Sequence, residues 1–336
     1  MEDRKKDHID LAFQSQTPIE ALDNRFYYEP MLSAHPTKGL KQFPFLGKTF
    51  RVPLWVSSMT GGTQLASKIN RNLALVCKEF GFGMGLGSCR IILDDDSYLA
   101  DFDMRPIIGD DLPLFANLGI CQVEQLLKQN HEEKIIRLIG KLRADGLIVH
   151  VNPMQEWFQP EGDVLIYPPI DTIKRLLDRV NFPLIVKEVG QGIGPASLKA
   201  LLKLPLAAIE FAAFGGTNFA KVELLRDPGS SKELFEPLSL IGMDVYQMLE
   251  SVNRIFNLEK KIACKQIIIS GGIKSFLDGY YLLERSLLPA VYGQASSFLK
   301  YARGDYDQLH DYVSQQLKGL EMAYAYLRIK ELNINS

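Results

Sequence analysis

Apolar positions in this chain come in short blocks separated by polar ones. Eight blocks stand out: VPLWVSS (52–58), FGMGLGS (82–88), LPLFANLG (112–119), GLIVHVN (146–152), FPLIVKEVG (182–190), AAIEFAAFGG (207–216), KQIIISGG (265–272) and LPAVYGQA (288–295). Each runs into Gly, Ser, Thr, Asn or Gln. Between them lie stretches with apolar residues at three- and four-residue spacing, the spacing of one helix face. Leu65 to Phe80 carries Ile69, Leu73, Val76 and Phe80, and Glu132 to Leu142 carries Ile135, Ile136, Ile139 and Leu142. Ile170 to Val180, Pro195 to Leu202, Met243 to Phe256 and Ser275 to Leu283 read likewise. Pro195 suits a first helical turn and Ser275 an N-cap.

Near-continuous apolar strands alternating with helices predict parallel strands covered on both faces. Eight such units predict an α/β fold of the (β/α)8 barrel type, with an open doubly wound sheet plus an extra lobe as the alternative. A chain of 336 residues fits one such domain, 1–336. Residues 1–50 read as an N-terminal extension and 305–333 as a terminal helix over the barrel.

Barrel sites lie at the C-terminal ends of the strands. Polar residues recur there: Ser57-Ser58-Met59-Thr60-Gly61-Gly62 after the first run, Ser88-Cys89-Arg90 after the second and Asn117 in the third. His150, Asn152, Gln155 and Glu156 crowd the end of the fourth, and Lys187 and Glu188 the fifth. Thr217 follows the sixth, Gly271 and Gly272 the seventh, and Gly293, Gln294 and Ala295 close the eighth. Glycines after the last two strands let backbone N–H groups approach a phosphate; tight turns are the plainer explanation of each pair alone. Lys187 ends an apolar strand. It either pairs with Glu188 or faces the N1–C2=O edge of a reduced flavin, where an ammonium stabilises negative charge. Glu156 suits Mg2+ shared with substrate phosphate oxygens, or is a solvated loop carboxylate. No histidine follows the fifth to eighth runs, which argues against a flavin oxidase that takes a proton from a 2-hydroxy acid.

Composition excludes more than it assigns. A formal net charge of −2 gives no global field for nucleic acid or an anionic membrane. No run of 18 apolar residues exists, so no membrane span is expected. The opening MEDRKKDHID lacks the apolar core of a signal peptide. Cys77, Cys89, Cys121 and Cys264 form no C-x-x-C pair and read as reduced thiols of a cytoplasmic protein. Arg4, Lys5 and Lys6 make a small basic cluster before His8.

RKKDHI, SSMTGG, GSCR, ANLG, HVNPMQE, KEVGQG, FGGTNF and SGGI, in this order, resemble the type 2 isopentenyl-diphosphate isomerases. That family consists of FMN-dependent (β/α)8 barrels. The resemblance implies interconversion of isopentenyl and dimethylallyl diphosphate, with the flavin in its reduced form and NADPH needed only to reduce it. It further implies that Arg4, Lys5, His8, Arg90, His150, Asn152 and Gln155 contact substrate, that Gln155 and His150 act in catalysis and that Glu156 holds Mg2+. Met59, Thr60, Gly61, Ser88, Asn117, Lys187, Thr217, Gly271, Gly272, Gly293, Gln294 and Ala295 match positions around FMN. The expected partner is a small diphosphate, and the expected assembly a homo-oligomer, a tetramer or octamer. Two positions depart from the pattern: Lys274 stands where arginine is frequent, and Cys89 where glutamine is. An FMN-dependent oxidoreductase of related barrel type is the alternative function.

Overall fold

The computed structural model describes residues 2–58, 64–226 and 231–330. All eight apolar runs form strands: β1 (Leu54–Val56), β2 (Gly83–Gly85), β3 (Leu114–Gly119), β4 (Gly146–His150), β5 (Leu184–Lys187), β6 (Ala208–Glu210), β7 (Ile267–Ser270) and β8 (Ala290–Gln294). They pair in chain order, and β8 returns to β1 through Gly293↔Trp55 and Gln294↔Val56 to close a parallel barrel. The open-sheet alternative is therefore excluded. Helices cover the outer face, which is why the strands lack polar alternation and are buried along nearly their whole length.

Glycine is a poor strand former, yet β2 has it at two of three positions. The reason lies inside the barrel. Trp55 is fully buried, and a Cβ on Gly83 would come within 2.6 Å of its ring. A Cβ on Gly85 would meet Ile148 at 2.4 Å. The large side chains of β1 and β4 fill space that β2 leaves open.

The expected helices are present as Gln64–Phe80, Glu132–Leu142, Pro169–Leu177, Pro195–Leu202, Val245–Leu258 and Phe276–Arg285. Ser275 caps the last, accepting from the Asp278 N–H while the Asp278 side chain answers the Ser275 N–H. Ile120–Lys128 is a further helix that runs on directly from β3, so its apolar start merges with the strand in the sequence. The terminal helix is Tyr306–Tyr326, shorter than 305–333. Leu327–Ile329 leaves it to pair antiparallel with Phe26–Tyr28, and residues 331–336 lie outside the described part.

The extension behaves as two pieces. From Arg4 to Asn24 every residue is exposed. The hairpin Phe43–Phe45/Lys48–Phe50 instead reaches the ends where strands begin. Leu46 and Gly47 both take positive φ, as a two-residue hairpin turn requires. The Leu46 N–H donates to Gln266 Oε1 at 2.9 Å, just before β7, and Phe45 and Phe50 are fully buried. Lys48 meets Asp145, just before β4, at 3.2 Å.

Asp145 also anchors a buried cation. Arg105, 3% exposed, donates to it at 2.8 Å and to the carbonyls of Arg143, Gly109 and Leu112. Removing the guanidinium takes the donor from three backbone carbonyls and leaves Asp145 with only Lys48 and the Leu114 N–H. Arg105→Leu is expected to cost about 3–5 kcal/mol, read from the denaturant midpoint; a loss below about 1 kcal/mol would show that the site tolerates losing its cation.

Candidate active site

A pocket opens over the C-terminal ends of β5 to β8 and β1. Of the residues expected around a flavin, Lys187, Thr217, Gly271, Gly272, Gly293, Gln294 and Ala295 line it. Ser57 and Ser58, already placed at the first strand end, line it too, together with Glu210, Gly216 and Ser270. Gly271 has φ +92°, and a Cβ there would lie 2.2 Å from the Ala213 backbone. The loops after β6 and β7 thus touch backbone to backbone, which only glycine allows.

Several buried polar atoms at this pocket have no partner: Ser57 Oγ, Ser58 Oγ and Gln294 Nε2. Gln294 is held from behind, because its Oε1 accepts from Gln316 Nε2 at 2.8 Å and Tyr312 Oη at 3.2 Å. Its amide N–H groups are left without an acceptor. Buried polar atoms without partners are rare in finished structures, and a polar cofactor such as FMN fits them.

His150, Lys187 and Glu210 stand in one row across three neighbouring strands, through the pairs His150↔Lys187 and Lys187↔Glu210. The His150 ring is defined by Asn117. Asn117 Nδ2 donates to the Leu86 carbonyl at 3.1 Å, so its Oδ1 faces His150 Nδ1 at 2.7 Å and accepts a hydrogen bond from the Nδ1–H. Nε2 then carries the lone pair. Burial and the nearby Lys187 charge push His150 down to about 3, so the ring is neutral at physiological pH. Lys187 Nζ donates to the Glu188 carbonyl at 2.8 Å, not to its carboxylate. That carboxylate accepts the N–H groups of Gly190, Gln191 and Gly192 at 2.6–3.0 Å. The side-chain pair considered from the sequence is therefore not formed. Glu210 was missed, although a carboxylate inside AAIEFAAF breaks its run just as His150 and Lys187 break theirs.

Beyond β4 the strand ends at His150, so strand alternation does not reach Asn152. Pro153 opens the helix Pro153–Phe158. Asn152 Nδ2 donates to Gln155 Oε1 at 3.1 Å and Glu156 Oε1 at 3.0 Å, while Asn152 Oδ1 is buried and unpartnered. Gln155 Nε2 donates to Glu223 Oε1 at 3.1 Å. Glu223 sits on the helix Phe219–Arg226, held against the first helix by Phe158, Ala220 and Leu224. The other Glu156 oxygen accepts the Asp163 N–H at 2.9 Å. Asp163 in turn holds Arg90 at 3.0 Å and accepts from Gln122 and Gln125. Neither Glu223 nor Asp163 carried a local signal, since both lie far along the chain from the residues they hold.

Other expected residues are not gathered here. Arg4, Lys5 and His8 lie on the helix Glu2–Leu11, and their exposed side chains form no hydrogen bond or ion pair with any described residue. Ser88 is exposed and does not line the pocket, and Asn117 serves His150 instead. Met59, Thr60 and Gly61 lie outside the described residues. Lys274 is exposed, and Cys89 is buried with its thiol on the Gly87 carbonyl, a packing position. Among the described residues no three metal-ligating side chains cluster, and no helix is long and apolar enough to cross a membrane.

No family model matches the chain. Solved structures with the same fold include a mandelate oxidase variant carrying a monooxide FMN adduct, 11% identical, with a TM-score of 0.55 over 98% of both chains. A flavocytochrome b2 variant with pyruvate bound is 13% identical, with a TM-score of 0.61 over 89% of this chain and 71% of that one. At these identities they speak for the fold alone. The curated relatives are nearer. An isopentenyl-diphosphate delta-isomerase of Chlorobium chlorochromatii is 33% identical over 82% of this chain and 80% of its own length. Enzymes of the same name from Mycolicibacterium vanbaalenii and Rickettsia africae are 31% and 32% identical, over 83% and 89% of this chain and 79% and 86% of their own lengths. Sequence shared at this level across most of both lengths means that the chain belongs to the isopentenyl-diphosphate delta-isomerase family.

Proposed function

We propose that this protein interconverts isopentenyl diphosphate and dimethylallyl diphosphate, with FMN in the glycine-lined pocket, Mg2+ at Glu156 and NADPH as the reductant of the flavin. The observation that carries the reading is the linked set Asn152, Gln155, Glu156 and Glu223 at the barrel mouth, beside a pocket whose buried polar atoms lack partners. Gly271, Gly272, Gly293, Gln294 and Ala295 would hold the cofactor's phosphate side, and Thr217 and Lys187 its polar ring edge. When bound and reduced, FMN supplies an electron-rich ring that stabilises positive charge on a tertiary carbon.

The protein's own groups divide the remaining work. Glu156 gives one oxygen to Asn152 and the other to the Asp163 N–H, and a carboxylate retains further lone pairs for a metal. Diphosphate oxygens and water complete the shell of a hard cation. Arg90 is kept at the mouth by Asp163 and turns its fork to the diphosphate. The alkene must gain one proton, which a bound reduced flavin would supply, and lose another from the neighbouring carbon, for which a neutral amide is a poor base. Glu223 Oε1, hydrogen-bonded to Gln155, is the carboxylate that receives it, with Gln155 as the positioning contact. Binding energy at the diphosphate then orients the distant alkene. His150 meets the substrate as a neutral ring. Arg4, Lys5 and His8 add free cationic or donor groups. Assembly into a tetramer or octamer belongs to the same reading, supported by Ile9, Leu11 and Phe13 left exposed beside them. A cytoplasmic location accords with four buried, unpaired thiols.

Three measurements test this. Protein loaded with reduced FMN and Mg2+ is expected to interconvert the two diphosphates without net NADPH oxidation; sustained stoichiometric NADPH consumption with no allylic product would favour an oxidoreductase instead. Glu156→Gln is expected to raise the Mg2+ concentration for half-maximal activity by about tenfold or more, and an unchanged titration removes Glu156 as the ligand. His150 binds a proton in the unfolded chain below pH ~6.5 but in the folded protein only near 3. The unfolded state therefore carries the extra proton across that window, and stability falls as pH drops through it. His150→Gln is expected to lose less stability than the parent between pH 7 and pH 4, and equal losses in urea titrations would refute a ring held neutral by the fold.

A further inference from the structure

The mechanism above uses His150 and Lys187 and leaves the third member of their row without a role. Glu210 is fully buried and lines the same pocket as Lys187. Ser270 Oγ donates to its Oε1 at 3.3 Å, while its Oε2 has no partner. The same Ser270 oxygen accepts the Ala212 N–H at 2.9 Å, which turns its proton toward the carboxylate. Trp55 Nε1, on β1, and Ser57 Oγ, just after it, lie near enough to favour the charged form without closing a hydrogen bond, and neither has another partner. A carboxylate costs too much in such a place to serve as filler. Its surroundings are donors and one ammonium, the surroundings of an anion.

Lys187 has the complementary need. It is 5% exposed, and its hydrogen bond goes to a neutral carbonyl. Of the groups near it, His150 on β4 is neutral, and the Glu188 carboxylate, which also feels the Lys187 charge, turns its Oε2 away to three backbone N–H groups. Glu210 on β6, in register with Lys187, is the other carboxylate that its charge reaches, across the pocket floor and without a direct ion pair.

We propose that Glu210 is a positioning residue, the buried counter-charge that holds the Lys187 ammonium in the pocket floor. It acts through Lys187 and touches no reacting atom. Burial pushes the Glu210 carboxyl up while Lys187 draws it back, and the same Lys187 charge pushes His150 down. Burial acts most strongly on both neighbours, and the one cation shifts each of them downward. The role toward the flavin rests on the cofactor reading above, whereas the pairing itself needs no cofactor.

A double-mutant cycle on cofactor-free protein tests the pairing. Glu210→Gln and Lys187→Met each leave one buried charge alone, and each is expected to lower Tm by on the order of 5–10 °C. The double variant removes both charges and is expected to lose clearly less than the sum; additive losses overturn the proposal. Should Glu210→Gln not fold, recovery of folded protein on adding Lys187→Met is the expected result, and no recovery overturns it. With FMN bound, Glu210→Gln is expected to lower the flavin midpoint potential, because the ammonium is no longer held against the reduced ring, and Glu210→Asp to return it toward the parent value. A potential that rises would make Glu210 only an opposing negative charge and overturn the role. If the parent protein takes up no FMN, the cofactor reading falls, while the melting cycle still decides the pair.

Discussion

Closing eight strands into a ring creates an interior that water does not reach, and every polar side chain at its upper rim must answer to that. A buried amide or carboxylate without a partner is costly, so each polar residue there is either matched by the protein or left for a ligand. Asn117 is spent on His150 and Leu86, and the Glu188 carboxylate on three backbone N–H groups. Ser57 Oγ, Ser58 Oγ, Asn152 Oδ1 and Gln294 Nε2 are left over. The division between spent and unspent groups outlines the site.

The unspent groups are kept in place by spent ones farther out. Gln316 and Tyr312, on the terminal helix, fix the Gln294 amide from behind. Asp163 ties Arg90 to the backbone that also meets Glu156. A small apolar cluster around Phe158 and Leu224 brings Gln155 to Glu223. Orientation at the mouth therefore depends on contacts well away from it, as precise positioning requires.

Some of the site could be read directly from the chain. His150 and Lys187 each interrupt an apolar run, and Gly271, Gly272, Gly293 and Gln294 fall where a barrel places a phosphate. Glu210 interrupts a run in the same way and could have been read by the same argument. Glu223 and Asp163 could not. Each is 68 and 73 residues from the group it holds, Gln155 and Arg90 respectively, and nothing local distinguishes either from a solvated helix or loop carboxylate. Asn117 was placed near the cofactor because strand position is legible; its actual task of orienting His150 depends on which rim neighbours meet.

The sequence by itself determined the barrel, because eight apolar runs separated by helical periodicity leave parallel strands few other ways to be covered on both faces. It also determined which strand ends carry chemistry, and through its motifs the family. Tertiary structure alone decided protonation and pairing: a neutral His150, a Lys187 not bonded to the carboxylate beside it, and a Glu210 set in line with both. Those outcomes arise from strand register and desolvation, which act between residues tens of positions apart and leave no trace in local periodicity.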